Sequence, residues 1–412
     1  IIIIIQIKKY FGTIYYCKKM KKISFIIIFI FLYDILPTLA DRLSILNWET
    51  KAPESLDSLS LSQDKDRKEG IAVIELDQNS EDFGKILFNI PVNPNLVLHH
   101  IFYNQNLSKA YITALDSDSL HVINMSDQVW RLKPIHTPMC KVQENIIFSD
   151  DNTKWWLTCM GSENVIVGDA ISDQIIDVIS LPNTFPHGIT LDERIDRILV
   201  ANCVAPDMSN AGKTIEVIEA STGKHLDSIE ISRGSLNAPV EVLFVPNSDP
   251  PVAYATTMME NSLWGLKWNY ESNSFEAKEL FDFVKADKSL MPLEIYFNKD
   301  LTLSYITTAD PGRLHVFDVS QDLMSPILIR SIDAGGGAHH VAITKDEKTA
   351  YVQNGLLNIP GINDGSITVI DLEQLEVINV IETFKSKGRV PNSITLLPKW
   401  YNSAGHINNG NK

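Results

Sequence analysis

Seven polar residues recur at the start of similar apolar segments, and their side chains are the ones in this sequence best suited to chemistry. They are separated by 44, 43, 54, 53, 46 and 52 residues. The seven positions are His100, Glu144, His187, Glu241, Glu294, His340 and Asn392. Imidazole binds copper, zinc and iron, and carboxylates act as ligands or orient the histidines. The set therefore predicts a metal site, and His99 and His339, which directly precede two of the positions, extend it.

Sulfur-containing residues lie close to the same segments. Cys140 precedes the Glu144 segment, and Cys159 and Cys203 each end a later apolar run. We include Cys140 among the candidate metal ligands, because histidine, cysteine and methionine together favour copper over zinc or iron. Cys159 and Cys203 have two open interpretations, as small buried residues or as a disulfide pair.

Each of the seven positions begins the same local pattern. An apolar run is followed by a polar turn and, about twelve residues on, by a second apolar run; His340 begins HVAITKDEKTAYVQN. Candidate third and fourth strands follow in most repeats. Four short strands in about 50 residues are typical of a propeller blade. Gly335, Gly336 and Gly337 before the histidine pair predict a close backbone approach near the channel axis.

The two ends of the repeat array complement each other. The seventh repeat supplies one strand before the chain runs out, whereas residues 43–48, 71–76 and 85–90 predict three unassigned strands near the N-terminus. Joining them completes a blade and closes the ring. We therefore predict an all-β fold: a seven-bladed β-propeller of four-stranded antiparallel blades, closed by one C-terminal strand that joins three N-terminal strands. The first strand of each blade lines the axis, so the seven polar residues should surround one mouth of the channel.

The N-terminal 40 residues are predicted to lie outside this fold. Residues 1–19 begin without methionine and are interpreted as non-native upstream translation. Residues 20–40 have the order of a secretory signal peptide, with Lys21 and Lys22, an apolar run and a Thr38-Leu39-Ala40 cleavage site. An uncleaved anchor is the alternative. Residues 41–398 form the single propeller and 399–412 a C-terminal tail, and we expect export to the periplasm or the medium without a stable membrane span.

The charge of the chain limits its partners. Its net charge is −15, and removing residues 1–40, with six lysines and one aspartate, leaves 30 basic and 50 acidic residues, a net charge near −20. Nucleic acid and anionic membrane surfaces are therefore not expected partners. We expect a monomer that takes a small-molecule or protein ligand at the axial mouth.

Several strand sequences carry a family resemblance. They are Tyr351-Val352-Gln353-Asn354, Leu199-Val200-Ala201-Asn202 and the run from Ser366 to Asp371, SITVID. They resemble the strand signatures of YVTN-type repeat proteins, which are exported, WD40-like β-propellers. The resemblance implies a fold and leaves the function open, because related propellers serve nitrite reductases, nitrous oxide reductases, lactonases and thiol oxidases.

Three functions remain open at this level. The first is a transition-metal site, with copper favoured, that supports oxidoreductase chemistry. The second is a non-catalytic binding or protein-interaction scaffold, in which the polar ring only joins strand ends through hydrogen bonds. The third is a lactonase-like hydrolase, which the absence of an arginine from the seven positions disfavours. The sequence has no G-x-S-x-G, H-E-x-x-H or haem-attaching C-x-x-C-H motif, and no catalytic residue is assigned.

Overall fold

The structure is a computed structural model that describes residues 43–51, 67–127, 129–234 and 237–397. Three of the sequence predictions concern residues outside these ranges: the upstream segment 1–19, the signal peptide 20–40 and the tail 399–412. Seven sheets form the described part of the chain, one for each predicted blade. We number the blades from the repeat that contains His100.

All seven blades are antiparallel and are built from short strands. Blades 1 to 3 follow one another along the chain. Their strands are β4 (Leu98–Tyr103), β5 (Lys109–Ala114), β6 (Ser119–Asn124) and β7 (Lys133–His136); β8 (Gln143–Phe148), β9 (Lys154–Cys159), β10 (Asn164–Asp169) and β11 (Ile175–Ser180); β12 (Pro186–Asp192), β13 (Arg197–Asn202), β14 (Thr214–Glu219) and β15 (His225–Glu230).

Blades 4 to 6 repeat this order. Their strands are β16 (Pro239–Phe244), β17 (Val252–Thr257), β18 (Ser262–Asn269) and β19 (Ser274–Asp282); β20 (Leu290–Phe297), β21 (Leu303–Asp310), β22 (Gly312–Asp318) and β23 (Ile327–Asp333); β24 (Ala338–Ile343), β25 (Thr349–Asn354), β26 (Ile367–Asp371) and β27 (Glu376–Ile381). Within the described ranges, helix is confined to α1 (Phe283–Asp287) and the 3₁₀ turns Met160–Ser162 and Lys385–Lys387. Among the described residues, no helix has the length and apolar character needed to cross a membrane.

Blade 7 confirms the predicted closure of the ring. Its N-terminal strands are β1 (Leu43–Thr50), β2 (Glu69–Glu75) and β3 (Ile86–Pro91), and the C-terminal pieces β28 (Arg389–Pro391) and β29 (Thr395–Leu396) both pair with β1. The single predicted C-terminal strand is thus split in two. Asn392 and Ser393 lie in the interruption, where Asn392 Nδ2 donates to Glu49 Oε1 at 3.0 Å and Ser393 Oγ donates to Asn47 Oδ1 at 2.6 Å. The side chains in the interruption therefore hold the closing segment in place.

The core lies between the blades. Each pair of neighbouring blades shares one cluster of buried apolar side chains, including the pair formed by blades 6 and 7 across the closure. Buried side chains of this kind each stabilise the fold by about 1.5–3 kcal/mol. An eighth cluster lies at one end of the axis and contains residues from five blades, among them Met160, Cys203 and Leu293. Blade stacking therefore fixes the first strands around the axis and leaves one apolar surface at the channel mouth.

A β-bulge interrupts the first strand of blades 1 to 6. In each, two residues of the first strand face one residue of the second. The bulged pairs are His99-His100, Glu144-Asn145, His187-Gly188, Val240-Glu241, Leu293-Glu294 and His339-His340. A regular strand turns alternate side chains to opposite faces, and a bulge relaxes this rule. These bulges contain every histidine and glutamate that the sequence predicted for the site.

Candidate metal site in the channel

Hydrogen bonds to side chains of the second strand stabilise five of the six bulges. The backbone N–H of the second bulged residue donates to a side-chain oxygen of the residue opposite. The pairs are His100 with Thr113, Asn145 with Thr158, Glu241 with Thr256, Glu294 with Thr307, and His340 with Gln353, at 2.9–3.3 Å. These side chains replace the ladder hydrogen bonds that the bulge removes.

The bulged residues form two groups whose ligand atoms lie close together. The inner group is His100, Glu294, His339 and His340, and the outer group is His99, Glu144 and His187. Within each group, one ligand atom per residue lies within 4.8 Å of the others. Ligands held about 2.0–2.1 Å from one ion lie at most about 4.2 Å apart, so small side-chain rotations would suffice for either group to share an ion.

In the inner group, three imidazoles surround one carboxylate. The rings of His100 and His340 have centroids 4.5 Å apart, and those of His339 and His340 are 4.1 Å apart. His339 Nε2 lies 3.4 Å from Glu294 Oε1, and His340 Nδ1 lies 3.9 Å from Glu294 Oε2. All four residues are buried.

His100 is the least satisfied residue of the inner group. Only 1% of its surface is exposed, and neither ring nitrogen has a hydrogen-bond partner in the described part of the chain. Each unpartnered buried polar group costs about 1–3 kcal/mol. Burial, followed by the neighbouring histidines, holds the pKa of His100 well below its usual value. The ring is therefore neutral near pH 7, which is the form that binds a metal ion.

The outer group is held by two contacts with one carboxylate oxygen and by one hydrogen bond. His99 Nε2 lies 3.0 Å from Glu144 Oε2, and His187 Nε2 lies 3.5 Å from the same oxygen. His187 Nδ1 lies 3.0 Å from the carbonyl oxygen of Val240. Because a carbonyl only accepts, Nδ1 carries a proton, and Nε2 is the nitrogen that faces the other residues of the group. His99 stacks on His100 with ring centroids 3.8 Å apart, which places the two groups next to each other.

Glu241 belongs to neither group. Its Oε2 accepts from Asn145 Nδ2 at 3.3 Å, and its Oε1 accepts from Val242 N at 3.1 Å. Burial and the nearby Glu294 carboxylate raise the pKa of Glu241 well above its usual value. The neutral acid is thus the favoured form, which makes Glu241 a weaker candidate ligand than Glu294.

The seven predicted positions do not form one equivalent ring. The bulge register aligns His100 with Asn145 and Gly188, so Glu144 and His187 occupy the preceding position together with His99. His187 consequently joins the outer group, with its ring centroid 6.4 Å from that of His100. Asn392 lies in the closing segment and donates to Glu49 and to the Leu98 carbonyl.

The threonines of the second strands could have shown the correct register. Thr113 and Thr307 each lie 13 residues after the second bulged residue of their blade. Thr158 lies at the same interval from Asn145, not from Glu144. The repeated threonine therefore indicates Asn145 as the true counterpart of His100.

Cys140 is not a metal ligand, in contrast to the sequence prediction. Its sulfur forms a disulfide with Cys159, with the two Cα atoms 5.0 Å apart. A disulfide sulfur has no thiolate to offer a metal ion. The alternative pairing of Cys159 with Cys203 is excluded for the same reason, and Cys203 is a free, buried thiol.

A cavity of about 200 Å³ opens over the outer group. His99, Glu144, His187 and His339 line it together with aliphatic side chains and with methionines from four blades. The methionines are Met160, Met208, Met258 and Met291. None of the four methionines is among the candidate ligands that the sequence predicted. The cavity makes the outer group the accessible side of the site.

Comparison with known proteins supports the fold and leaves the family open. No protein-family model matches the chain, and no curated protein matches it. A hypothetical selenium-binding protein from Sulfolobus tokodaii has a similar structure, with a TM-score of 0.70 and 13% identity over 90% of this chain and 96% of the other. A functionally unknown protein from Desulfotomaculum acetoxidans is also similar, with a TM-score of 0.60 and 15% identity over 86% of this chain and 98% of the other. Hydrazine synthase from Kuenenia stuttgartiensis is similar as well, with a TM-score of 0.54 and 14% identity over 77% of this chain and 95% of the other. These likenesses confirm the seven-bladed propeller, while membership of the YVTN repeat family stays a prediction.

Proposed function

We propose that this propeller binds a transition-metal ion in its channel through the inner group. The observation that carries the proposal is His100, a buried neutral imidazole with no hydrogen-bond partner at either ring nitrogen among the described residues. Buried polar atoms are almost always satisfied, and an unsatisfied one calls for a missing partner. The ligand atoms of His339, His340 and Glu294 lie within 4.8 Å of those of His100, so the missing partner has four donors around it.

The donor set indicates the class of metal. Three imidazoles and one carboxylate suit copper, zinc and iron, and exclude the hard cations that prefer all-oxygen sites. We propose copper, because the cavity beside the site adds thioether sulfurs to these nitrogen donors. When bound, copper supplies one-electron redox chemistry, which makes this an oxidoreductase by proposal.

The protein's own residues have separate parts in this proposal. The inner group holds the ion, and the outer group lines the cavity through which a small ligand would reach it. In the outer group, the carboxylate of Glu144 lies beside His99 Nε2, and the Val240 carbonyl sets the tautomer of His187. Carboxylate and carbonyl oxygens beside a ring nitrogen commonly orient metal-binding histidines.

Elemental analysis tests the proposal. Untagged protein is loaded separately with Cu(II), Zn(II) and Fe(II), dialysed and analysed for each metal. We expect about one copper ion per chain, and the His100→Ala variant should fall to background because it removes a ligand at the centre of the inner group. His121→Gln is the matched control, since His121 is also buried in blade 1 but belongs to neither group.

Two results would contradict the proposal. One is a content below about 0.1 metal ion per chain after every loading, which would leave an ordered water as the partner of His100. The other is an unchanged copper content in a folded His100→Ala variant. Thermal unfolding of both variants shows whether the fold is retained.

A further inference from the structure

The methionines that line the cavity differ widely in exposure. Met208 is 45% exposed, Met258 and Met291 are half-buried, and Met160 is 1% exposed. All four line the same cavity of about 200 Å³ as His99, Glu144 and His187. Thioether and imidazole groups therefore share one cavity that is open to solvent at Met208.

The thioethers belong to one packed cluster. Met160 and Cys203 lie in its buried part, and Met258 and Met291 pack against the cluster. Burial, with the nearby Glu144 carboxylate as the second cause, raises the pKa of the Cys203 thiol. A raised pKa opposes ionisation of this thiol, whereas a thioether binds a metal ion without losing a proton.

The use of methionine here is more than an apolar cavity requires. Four of the nine methionines in the chain line this one cavity. Leucine would fill the same space with fewer rotatable bonds and better-defined packing. What methionine adds is a sulfur donor, and thioethers select Cu(I) over divalent ions.

We propose that Met160, Met258 and Met291 form a binding site for a soft monovalent ion, Cu(I), from which the ion passes to the imidazoles that line the same cavity. The thioethers are neutral and release no proton on binding, and the ion keeps its oxidation state during this transfer. The carboxylate of Glu144 offers the cation a negative charge beside His99. Only the destination of the ion rests on the function proposed above; the thioether site stands or falls separately.

Silver(I) added as its nitrate is the probe, because it shares the charge and the thioether preference of Cu(I). The protein is labelled with ¹³C at the methionine methyl groups and titrated while NMR spectra are recorded. We expect the methyl resonances of Met160, Met258 and Met291 to shift with about one equivalent of Ag(I). The resonance of Met125, a buried methionine in the cluster between blades 7 and 1, should not move.

Variants identify the donor atoms. Replacing Met160, Met258 and Met291 together by leucine conserves volume and is well tolerated in apolar packing. We expect this triple variant to bind Ag(I) at least about tenfold more weakly, whereas the Met125→Leu control binds it like the unchanged protein. Cys203→Ala should also retain binding.

The outcomes separate the two proposals. Methyl resonances that do not respond, or a triple variant with unchanged Ag(I) affinity, would overturn the thioether site and leave methionine as a packing residue. Loss of Ag(I) binding in Cys203→Ala, with retention in the triple variant, would overturn it in favour of the thiol. His100→Ala should lose copper and keep the Ag(I) shifts. If the methionine methyl resonances shift with Ag(I) but the protein never retains copper, the inner site is contradicted and the thioether site alone is supported.

Discussion

Glu241 and Glu294 are two buried carboxyl groups in one channel with different surroundings. Glu294 lies within 4 Å of two imidazoles, whereas Glu241 accepts hydrogen bonds from Asn145 and from the backbone of Val242. The raised pKa of Glu241 favours a neutral acid beside the Glu294 carboxylate. Two glutamates that occupy the same position in neighbouring blades are thus expected to behave differently.

A matched pair of glutamine variants tests this difference. Glu294→Gln removes a charged ligand and should weaken copper binding by roughly 10–100-fold or more. Glu241→Gln should leave the affinity nearly unchanged, because the amide has the shape and charge of the protonated acid. Its NH₂ group can donate to Asn145 after that amide flips, since Asn145 Oδ1 has no partner among the described residues. Affinity is measured by competition with a copper chelator, and equal losses in both variants would contradict the assignment of Glu294 as the ligand.

The sequence predicted which residues line the channel better than how they are grouped. All the predicted histidines and glutamates lie in the bulges, and the prediction for Cys140 was wrong. The grouping of His187 with His99 depends on a shift of one residue, which the spacing of the repeats does not reveal. The pairing of Cys140 with Cys159 depends on a Cα–Cα distance of 5.0 Å between a loop and a strand end, which sequence alone does not supply.

Among the secondary-structure elements, the bulged first strand determines which side chains reach the site. A regular strand would direct only one residue of His99-His100 or His339-His340 towards the axis. With two residues opposite one, both histidines of each pair face the channel, and their rings lie 3.8 Å and 4.1 Å apart. The strands themselves were predictable from apolar runs and turns, whereas the bulges interrupt that pattern by one residue.

Gly337 lies at a close backbone approach that positions His339 and His340. It has a φ of +83°, and an added Cβ would overlap the carbonyl oxygen of Ile362 and approach Leu356 N within 2.9 Å. The predicted close backbone approach of the glycine run is therefore present at this residue. At Gly337, two residues before His339, the start of blade 6 packs against the loop between β25 and β26.

Gly337→Ala is expected to destabilise the protein and to weaken metal binding. Strain at positive φ costs about 1–3 kcal/mol, and the backbone overlap adds to that cost. Gly361→Ala is the control, because Gly361 has a similar φ of +92° but no atom within 4 Å of the added Cβ. It should cost only about 1 kcal/mol and leave copper affinity intact. Denaturant unfolding and copper competition measure both effects, and equal behaviour of the two variants would show that the close approach has no role.

At the scale of the whole molecule, ring closure makes the channel a single site. The inner group takes residues from blades 1, 5 and 6, and the outer group from blades 1, 2 and 3. Blades 1 and 6 are neighbours only across blade 7, which the two ends of the chain build together. The closure was predictable because two incomplete sets of strands matched. Export stays a prediction of the sequence, and the Cys140–Cys159 disulfide is the described feature that favours an oxidising compartment.

We propose that one metal ion joins residues of blades 1, 5 and 6 in the closed ring. Anomalous diffraction from crystals of the copper-loaded protein, recorded on either side of the copper absorption edge, locates such an ion. We expect an edge-dependent peak among the ring nitrogens of His100, His339 and His340 and the carboxylate of Glu294. A loaded crystal with no such peak in the channel, or with copper only at surface histidines, would contradict it.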